Sequence, residues 1–428
     1  MFTSSVKSFN QFGEIAKIQL AEYSIDMFSQ DGDCCLPMQT LNDLLVSPEY
    51  LYLVFNGEKV IGSGFSSEHI KQMYTAAPRE MSPELAKFNF SELMLLMDNC
   101  YGLKEEHRIR SFLNMVIFNK DLHALLAGTD PKAFDAALTT LLMNYLDDSH
   151  SAFINASWMS GEADPLTMMS ILTSIGRSSR SKLKSSSVFE EARKVYYPNG
   201  VPGYEEISDT AFITFDGFDM EFEEWEKYYQ LECIDPQKDT IQLISYANQQ
   251  IRREGSPVKN IVLGLSLNGG GAADAAVFTA SWMAGEAVIA LRDTMTNSET
   301  VTSYYADVNL DGNSDKDSED RVSGGNYRLF CLISGNSFSC GNLVPAALKA
   351  SGNVTLLGQR SGGGSSVVMP CTTASGTVFM MSGTKQLATV RNGSFYNIDE
   401  GIEPDFVLSR PESFYDRPAL VEYINSLK

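Results

Sequence analysis

The chain has 428 residues, 43% hydrophobic and 20% charged, which permits a sizeable core and excludes global disorder. Its 33 Lys+Arg against 54 Asp+Glu give a formal charge of −21, which repels phosphate backbones and anionic lipid and argues against nucleic acid or a membrane surface as partner. No stretch approaches the roughly 20 apolar residues of a membrane span.

The first residues, Met1 to Lys7, lack a basic region followed by an apolar one, so no signal peptide is visible. The protein is then cytoplasmic, or extracellular or at the cell surface if a signal has been removed. Leu51 to Phe55, the turn Asn56-Gly57 and Val60-Ile61 read as a β-hairpin. From Pro83 to Leu146 apolar residues recur at three- and four-residue steps (Leu93, Leu96, Met97; Leu138, Leu141, Leu142, Tyr145), the spacing of helices, with Asp130-Pro131 opening the last one. His107 and His123 fall within this helical stretch. The Ser-rich run from Ser178 to Ser187 reads as a mobile connection or cap. From Ala211 strands and helices alternate: strand Phe212–Phe215, helix Thr240–Arg253, strand Ile261–Leu267, helix Ala272–Met283, strand Leu329–Ile333, a helix through Ala350, and strand Val354–Leu357. That order predicts a mostly parallel sheet covered on its faces. The expected regions are 1–75 with short β elements, 76–205 mainly helical with the Ser-rich cap, and 206–428 as an α/β core carrying an acidic insertion at 301–325. The seven cysteines (Cys34, Cys35, Cys100, Cys233, Cys331, Cys340 and Cys371) form no Cys-x-x-Cys pair and read as buried free thiols.

Three places carry chemistry. Ser339 follows the strand Leu329–Ile333 and a turn, and stands at the start of a helix, whose first amides have no internal partner and carry partial positive charge. A serine there has donors for an oxyanion beside it, the amide of Cys340 first, although an ordinary Ser N-cap has the same appearance. Asn268-Gly269-Gly270-Gly271 ends a buried strand, where glycines let backbone approach a ligand and turn an amide towards it; a tight strand-to-helix turn is the plainer explanation. His150 follows two aspartates, which raise an imidazole's pKa and orient its ring. Separately, Asp307, Asn309, Asp311, Asn313 and Asp315 place oxygen ligands at alternate positions with Gly312 at the sixth, the spacing of a calcium loop. The twelfth position is Ser318 rather than glutamate, so Asp317, Glu319 or Asp320 would have to substitute in holding a structural Ca²⁺.

Taken in order, these segments resemble the C-terminal-processing and tricorn-type serine peptidases. Asp147-Asp148-Ser149-His150-Ser151 is similar to the family's Leu-Asp-x-His-Ser/Thr segment, Ile261 to Gly271 to its strand ending in Asn-Gly-Gly-Gly, Ser339 to its nucleophile turn, and Gly401-Ile402-Glu403-Pro404-Asp405 to its Gly-Ile/Val-x-Pro-Asp element. The resemblance implies a crotonase-like spiral of β/α units and hydrolysis of a peptide or protein substrate through an acyl-enzyme. It makes Ser339, rather than Ser337, the nucleophile, with Cys340 and Gly269 or Gly270 as oxyanion donors and no required cofactor. The processing branch uses a lysine as base in a Gly-Lys-Gly-like loop. Here that loop runs from Gly358 to Ser365 without a lysine, and Arg360 stays protonated. The tricorn branch pairs serine with histidine and an acid, which makes His150 the expected base and Asp399 or Glu400 the expected acid. The usual Asp-x-Arg before Asn-Gly-Gly-Gly is Gly264-Leu265-Ser266, and Ser151 to Thr210 is too short for a PDZ module. Two other functions stay open: an inactive relative that binds peptides on the same scaffold, and a crotonase-type acyl-thioester enzyme, for which no CoA-binding feature is found.

Overall fold

A computed structural model describes residues 2–64, 72–161, 175–222, 224–230, 239–312 and 318–427, without the side chains of 8–11. His69 and Cys233 lie outside the described residues.

The strands, in chain order, are β1 (Phe2–Gln11), β2 (Phe28–Gln30), β3 (Asp33–Cys35), β4 (Tyr52–Phe55), β5 (Val60–Ser63), β6 (Ala152–Asn155), β7 (Tyr204–Ile207) and β8 (Thr210–Thr214). They continue with β9 (Asn260–Gly264), β10 (Ala287–Asp293), β11 (Ser298–Ala306), β12 (Arg328–Ile333), β13 (Val354–Gly358), β14 (Ser366–Thr372), β15 (Val378–Arg391), β16 (Ser394–Tyr396) and β17 (Phe406–Val407). A six-stranded sheet has the order β17-β13-β12-β9-β8-β7, parallel except for the β7–β8 pair. Every residue of β8 and β9 is buried, as continuous apolar runs in a sheet covered on both faces require. One face packs on the helices Thr240–Arg252, Ala273–Ala284 and Cys340–Ser351, with Ile261, Leu263, Trp282 and Leu348 in a shared core. The other face is covered by Phe189, Phe414 and Leu420 from the helix Arg177–Tyr196, the turn Pro411–Phe414 and the helix Arg417–Ser426. Each such fully buried side chain contributes roughly 1.5–3 kcal/mol. The result is a mixed α/β protein.

The second large sheet is antiparallel and seven-stranded, with the path β1-β11-β10-β15-β14 and with β6 and β16 also on β15. Through β1 the first residues of the chain join this sheet, and β11 places Val301–Ala306 inside it rather than in an insertion. The helices from Pro83 to Thr140 pack with β4, β5, β14 and β15 in one core. Buried polar contacts reinforce that seam: Gln39 Nε2 donates to the Thr372 carbonyl (2.9 Å), and Thr372 Oγ1 donates to that of Leu53 (3.0 Å).

Three local expectations change. The Ser-rich stretch is not a loose connection, because Arg177–Tyr196 is a helix. Leu, Lys, Arg and Glu interleaved with the serines supply helix propensity, and Phe189 anchors it against Phe414 with ring centroids 5.0 Å apart. His107 lies in the turns that follow the helix Pro83–Cys100, not in a helix. Of the cysteines described, Cys100, Cys331, Cys340 and Cys371 are buried free thiols, whereas Cys34 is free but exposed and Cys35 half-buried.

Candidate active site

β9 and β12 are adjacent parallel strands, and both candidate oxyanion segments leave from their C-terminal ends, where ligands bind in open α/β sheets. After β12 the chain makes a tight turn fixed from within: Ser337 Oγ accepts from the Ser334 amide (2.9 Å) and donates to the Leu265 carbonyl (2.7 Å). Ser337 is buried by these bonds and is held as a strut. The Phe338 amide donates to the Asn268 carbonyl (3.0 Å) and the Ser339 amide to that of Gly363 (2.9 Å). Ser339 itself has φ 56° and ψ −123°, and the Gly341 amide closes onto the Phe338 carbonyl (2.8 Å). This is the first central position of a type II′ turn, where a side chain costs about 1–3 kcal/mol of strain. The strain lifts the serine side chain off the helix Cys340–Ser351 instead of letting it cap that helix, and no cap hydrogen bond forms.

The donors around Ser339 sort themselves by their bonds. Cys340 is the first helical residue, so its amide has no partner within the helix. The Gly269 amide donates to the Asp216 carbonyl (2.9 Å) and the Gly270 amide to Asn268 Oδ1 (3.0 Å). A parallel bridge between Phe218 and Gly271 uses the Gly270 carbonyl and the Ala272 amide, which leaves the Gly271 amide unused. Gly270 (φ +109°) lies against the Ser339 side chain, and Gly271 reaches the neighbouring Cys340, whose Sγ meets its carbonyl at 3.3 Å. Among the described residues Gly271 is thus the glycine of this segment with an amide to spare, one residue beyond Gly269 and Gly270, because the bridge that settles it is a tertiary contact.

The loop Gly362-Gly363-Gly364 is pinned by Asp399, just ahead of the Gly-Ile-x-Pro-Asp element. The Gly364 amide donates to the Asp399 carbonyl (3.3 Å), and Asp399 Oδ1 accepts from both the amide (2.9 Å) and Oγ (3.1 Å) of Ser365. Burial raises the Asp399 carboxyl above its usual range, opposed by those bonds. Asp405 accepts from the Leu356 amide (2.8 Å) and pairs with Lys349 (2.9 Å), which fixes the element to β13. Glu400 is exposed and pairs with Arg360 (3.2 Å).

His150 is buried, and its turn is shaped by Asp148, whose Oδ1 accepts the amides of His150 (3.0 Å) and Ser151 (2.6 Å). The imidazole lies tilted against Phe338, with centroids 4.6 Å apart, and its Nδ1 is buried without a hydrogen-bond partner among the described residues. Among the described residues no hydrogen bond joins His150 to Ser339. Burial, with a further push from Lys182, brings the His150 pKa down to about 4, against the pull of Asp148. The charges bearing on His150 are therefore those of Asp148 and Lys182, whereas those bearing on Asp399 are Glu106 and His107.

Lys182, on the helix Arg177–Tyr196, had no signal in a Ser-, Lys- and Arg-rich stretch. Its Nζ stands 3.0 Å from the Phe338 ring centroid, and burial lowers its pKa to about 7. Asp147 sets this helix by accepting from the amides of Ser178 (2.6 Å) and Ser179 (2.9 Å). Ser339 lines a cavity of about 320 Å³ whose wall includes Tyr50 from the N-terminal region. Burial, then the neighbouring Cys340, pushes the Tyr50 hydroxyl up to about 12. A second cavity, of about 670 Å³, shares Gly364 with the first and is lined also by Phe338, Asp148, Lys182 and Asp399.

In the acidic loop Asp307 is buried; its Oδ2 accepts from the Gly312 amide (3.0 Å) and the Tyr229 hydroxyl (3.0 Å), and its Oδ1 is buried without a partner among the described residues. Asn309 Oδ1 accepts from the Asp311 amide (3.2 Å), and Asp320 Oδ1 from that of Val308 (2.7 Å). Asn313, Asp315 and Asp317 lie outside the described residues. Among the described residues no three His, Cys, Asp or Glu side chains form a group arranged to hold a metal ion. No helix there is long and apolar enough to cross a membrane.

Residues 211–408 match peptidase family S41. No curated protein matches the chain. Among solved structures, a putative peptidase from Parabacteroides merdae is 15% identical over 76% of this chain and 89% of its own, with a TM-score of 0.51. A crystal structure of CPAF is 11% identical over 81% and 96%, with a TM-score of 0.50. At such identities the likeness is one of fold. The photosystem II D1 C-terminal processing protease is 18% identical over 51% of this chain, with a TM-score of 0.37, and the chain spans 47% of its length.

Proposed function

We propose that this chain, a member of peptidase family S41 through residues 211–408, is a serine peptidase that cleaves peptide bonds through an acyl-enzyme on Ser339. The observation that carries the reading is the strained II′ turn that presents Ser339 beside the unused amides of Cys340 and Gly271 at the end of a parallel strand. A serine hydroxyl is a poor nucleophile until a base takes its proton. In this reading His150 is that base: neutral above about pH 4, it accepts the Ser339 proton once its ring turns past Phe338, and returns it to the leaving amine. The two amides hold the oxyanion of the tetrahedral intermediate. Asp148 supports the imidazole through its turn, and Asp399 holds the loop that receives the Ser339 amide. A crotonase-like spiral is the architecture proposed for the core, supported by the parallel sheet, its covering helices and the second sheet packed beside it.

The acidic loop is proposed to take a structural Ca²⁺ through Asp307, Asn309 and Asp311, a reading supported by the ligand spacing and by the buried, unpartnered Oδ1 of Asp307.

The test of the central reading is covalent labelling by a fluorophosphonate. Wild-type chain labels, whereas Ser339→Ala and His150→Ala do not. Labelling that survives Ser339→Ala removes the reading, and absence of labelling in the wild type turns it towards an inactive peptide-binding scaffold.

A further inference from the structure

Lys182 is a half-buried cation with no carboxylate paired to it among the described residues. Among the described residues its close partner is the face of Phe338, the residue before Ser339. Taking an ammonium out of water without a counter-ion is unfavourable, and a ring face returns only part of the loss. The acids around it are engaged elsewhere. Both oxygens of Asp147 cap the helix that carries Lys182. Those of Asp148 accept from the amides of His150 and Ser151, from Ser151 Oγ and from the Tyr101 hydroxyl. Asp399 is bonded to Ser365.

The position of this cation relates to the scissile bond. Lys182 lines the cavity of about 670 Å³, with Arg177 as a second cation on its wall. That cavity and the one containing Ser339 share Gly364, and Phe338, the residue before Ser339, lines the cavity that holds Lys182. On a chain with a formal charge of −21, a negatively charged substrate needs a local cation to enter.

We propose that Lys182 is a specificity-determining residue that receives a carboxylate of the peptide substrate in the cavity beside Ser339. The carboxylate is either the substrate's C-terminus or an Asp or Glu side chain. The lowered pKa of Lys182, about 7, fits this role, since an arriving carboxylate draws a proton back onto the amine. This inference rests on the peptidase reading for its substrate, but its test does not need turnover.

The full-length Ser339→Ala chain is immobilised and equilibrated at pH 7 with a random peptide library. The library is prepared once with free C-termini and once amidated, and the retained peptides are sequenced by mass spectrometry. Retention is expected to favour one carboxylate source by about tenfold or more over its neutral counterpart, the size of a hydrogen bond to a charged group. A preference for free C-termini over amides identifies the terminal carboxylate, and Asp or Glu over Asn or Gln the side chain. Lys182→Met in the same background abolishes the preference, and Lys182→Arg, which keeps the charge, retains it. Equal retention of charged and neutral peptides, or a preference that survives Lys182→Met in a chain with unchanged circular dichroism, overturns the inference. Carboxylate retention by a chain whose wild type takes no fluorophosphonate leaves Lys182 in this role and rejects the peptidase reading alone.

Discussion

Gly270 lies so close to Ser339 that a Cβ built on the glycine stands 2.7 Å from the serine Cβ. Real Cβ atoms do not approach so far, and the φ of +109° at Gly270 is itself unfavourable for an L side chain. The Asn-Gly-Gly-Gly segment is therefore shaped around the nucleophile turn as well as around any oxyanion. Gly270→Ala is expected to displace Ser339 and slow fluorophosphonate labelling by on the order of 100-fold, with circular dichroism retained. Labelling at the wild-type rate shows that the contact is not needed.

The neutral form of His150 persists to low pH, because burial and Lys182 disfavour its charge more than Asp148 favours it. The labelling rate is expected to hold from neutral pH down to about 5 and to fall as pH drops through about 4, where the imidazole protonates. The groups facing this ring are Asp148 and Lys182, with Phe338 against its face. An acid limb near 6.5, the ordinary histidine value, contradicts this picture.

Glu92 and Asp135 are buried in the helical half, and burial raises both carboxyls to about 7. A raised carboxyl contributes stability that is complete below its unfolded pKa and lost as pH rises through the folded value. Thermal stability is expected to decline between pH 5 and pH 8 by on the order of 1–3 kcal/mol for each group. Glu92→Gln removes its share of the slope; an unchanged slope in this variant shows that Glu92 is ionised in the folded chain.

Asp147 caps the helix that carries Lys182, accepting two of its first amides. Asp147→Ala is expected to cost about 1 kcal/mol in denaturant unfolding. It is also expected to weaken retention of carboxylate peptides, because the helix start no longer fixes Lys182. Asp147→Asn, which keeps one of the two acceptors, restores part of both.

Millimolar CaCl₂ is expected to raise the melting temperature by a few degrees if Asp307 ligates the ion, by mass action on the folded state. Chelation reverses the rise, and Asp307→Asn reduces it. A melting temperature indifferent to calcium and chelator removes the proposed site.

The candidate site was legible in the sequence where its parts are local. The apolar strand before Ser339 and the small and apolar residues after it specify a strand, a turn and a helix start whatever surrounds them. The same holds for β9 and its glycines. The Ser-rich stretch misled because composition near a helix's propensity threshold is decided by capping and docking: Asp147 and Phe414 hold Arg177–Tyr196 helical, and both are distant in sequence. Lys182 was invisible for the same reason, since a lysine among serines reads as solvated until a fold lays it on Phe338.

The sequence alone determined that an acidic α/β chain places a serine at a strand-to-helix turn, with a histidine and a glycine-rich turn elsewhere, because hydrophobic period and turn chemistry are local properties. Only the tertiary structure decided which groups meet there. Asp148, not the residues near Gly401, carries the charge next to His150, the Gly271 amide is the spare one, and Tyr50 from the N-terminal region lines the Ser339 cavity. These depend on burial, on the direction of amides in neighbouring strands and on contacts across hundreds of residues, which no window of sequence contains.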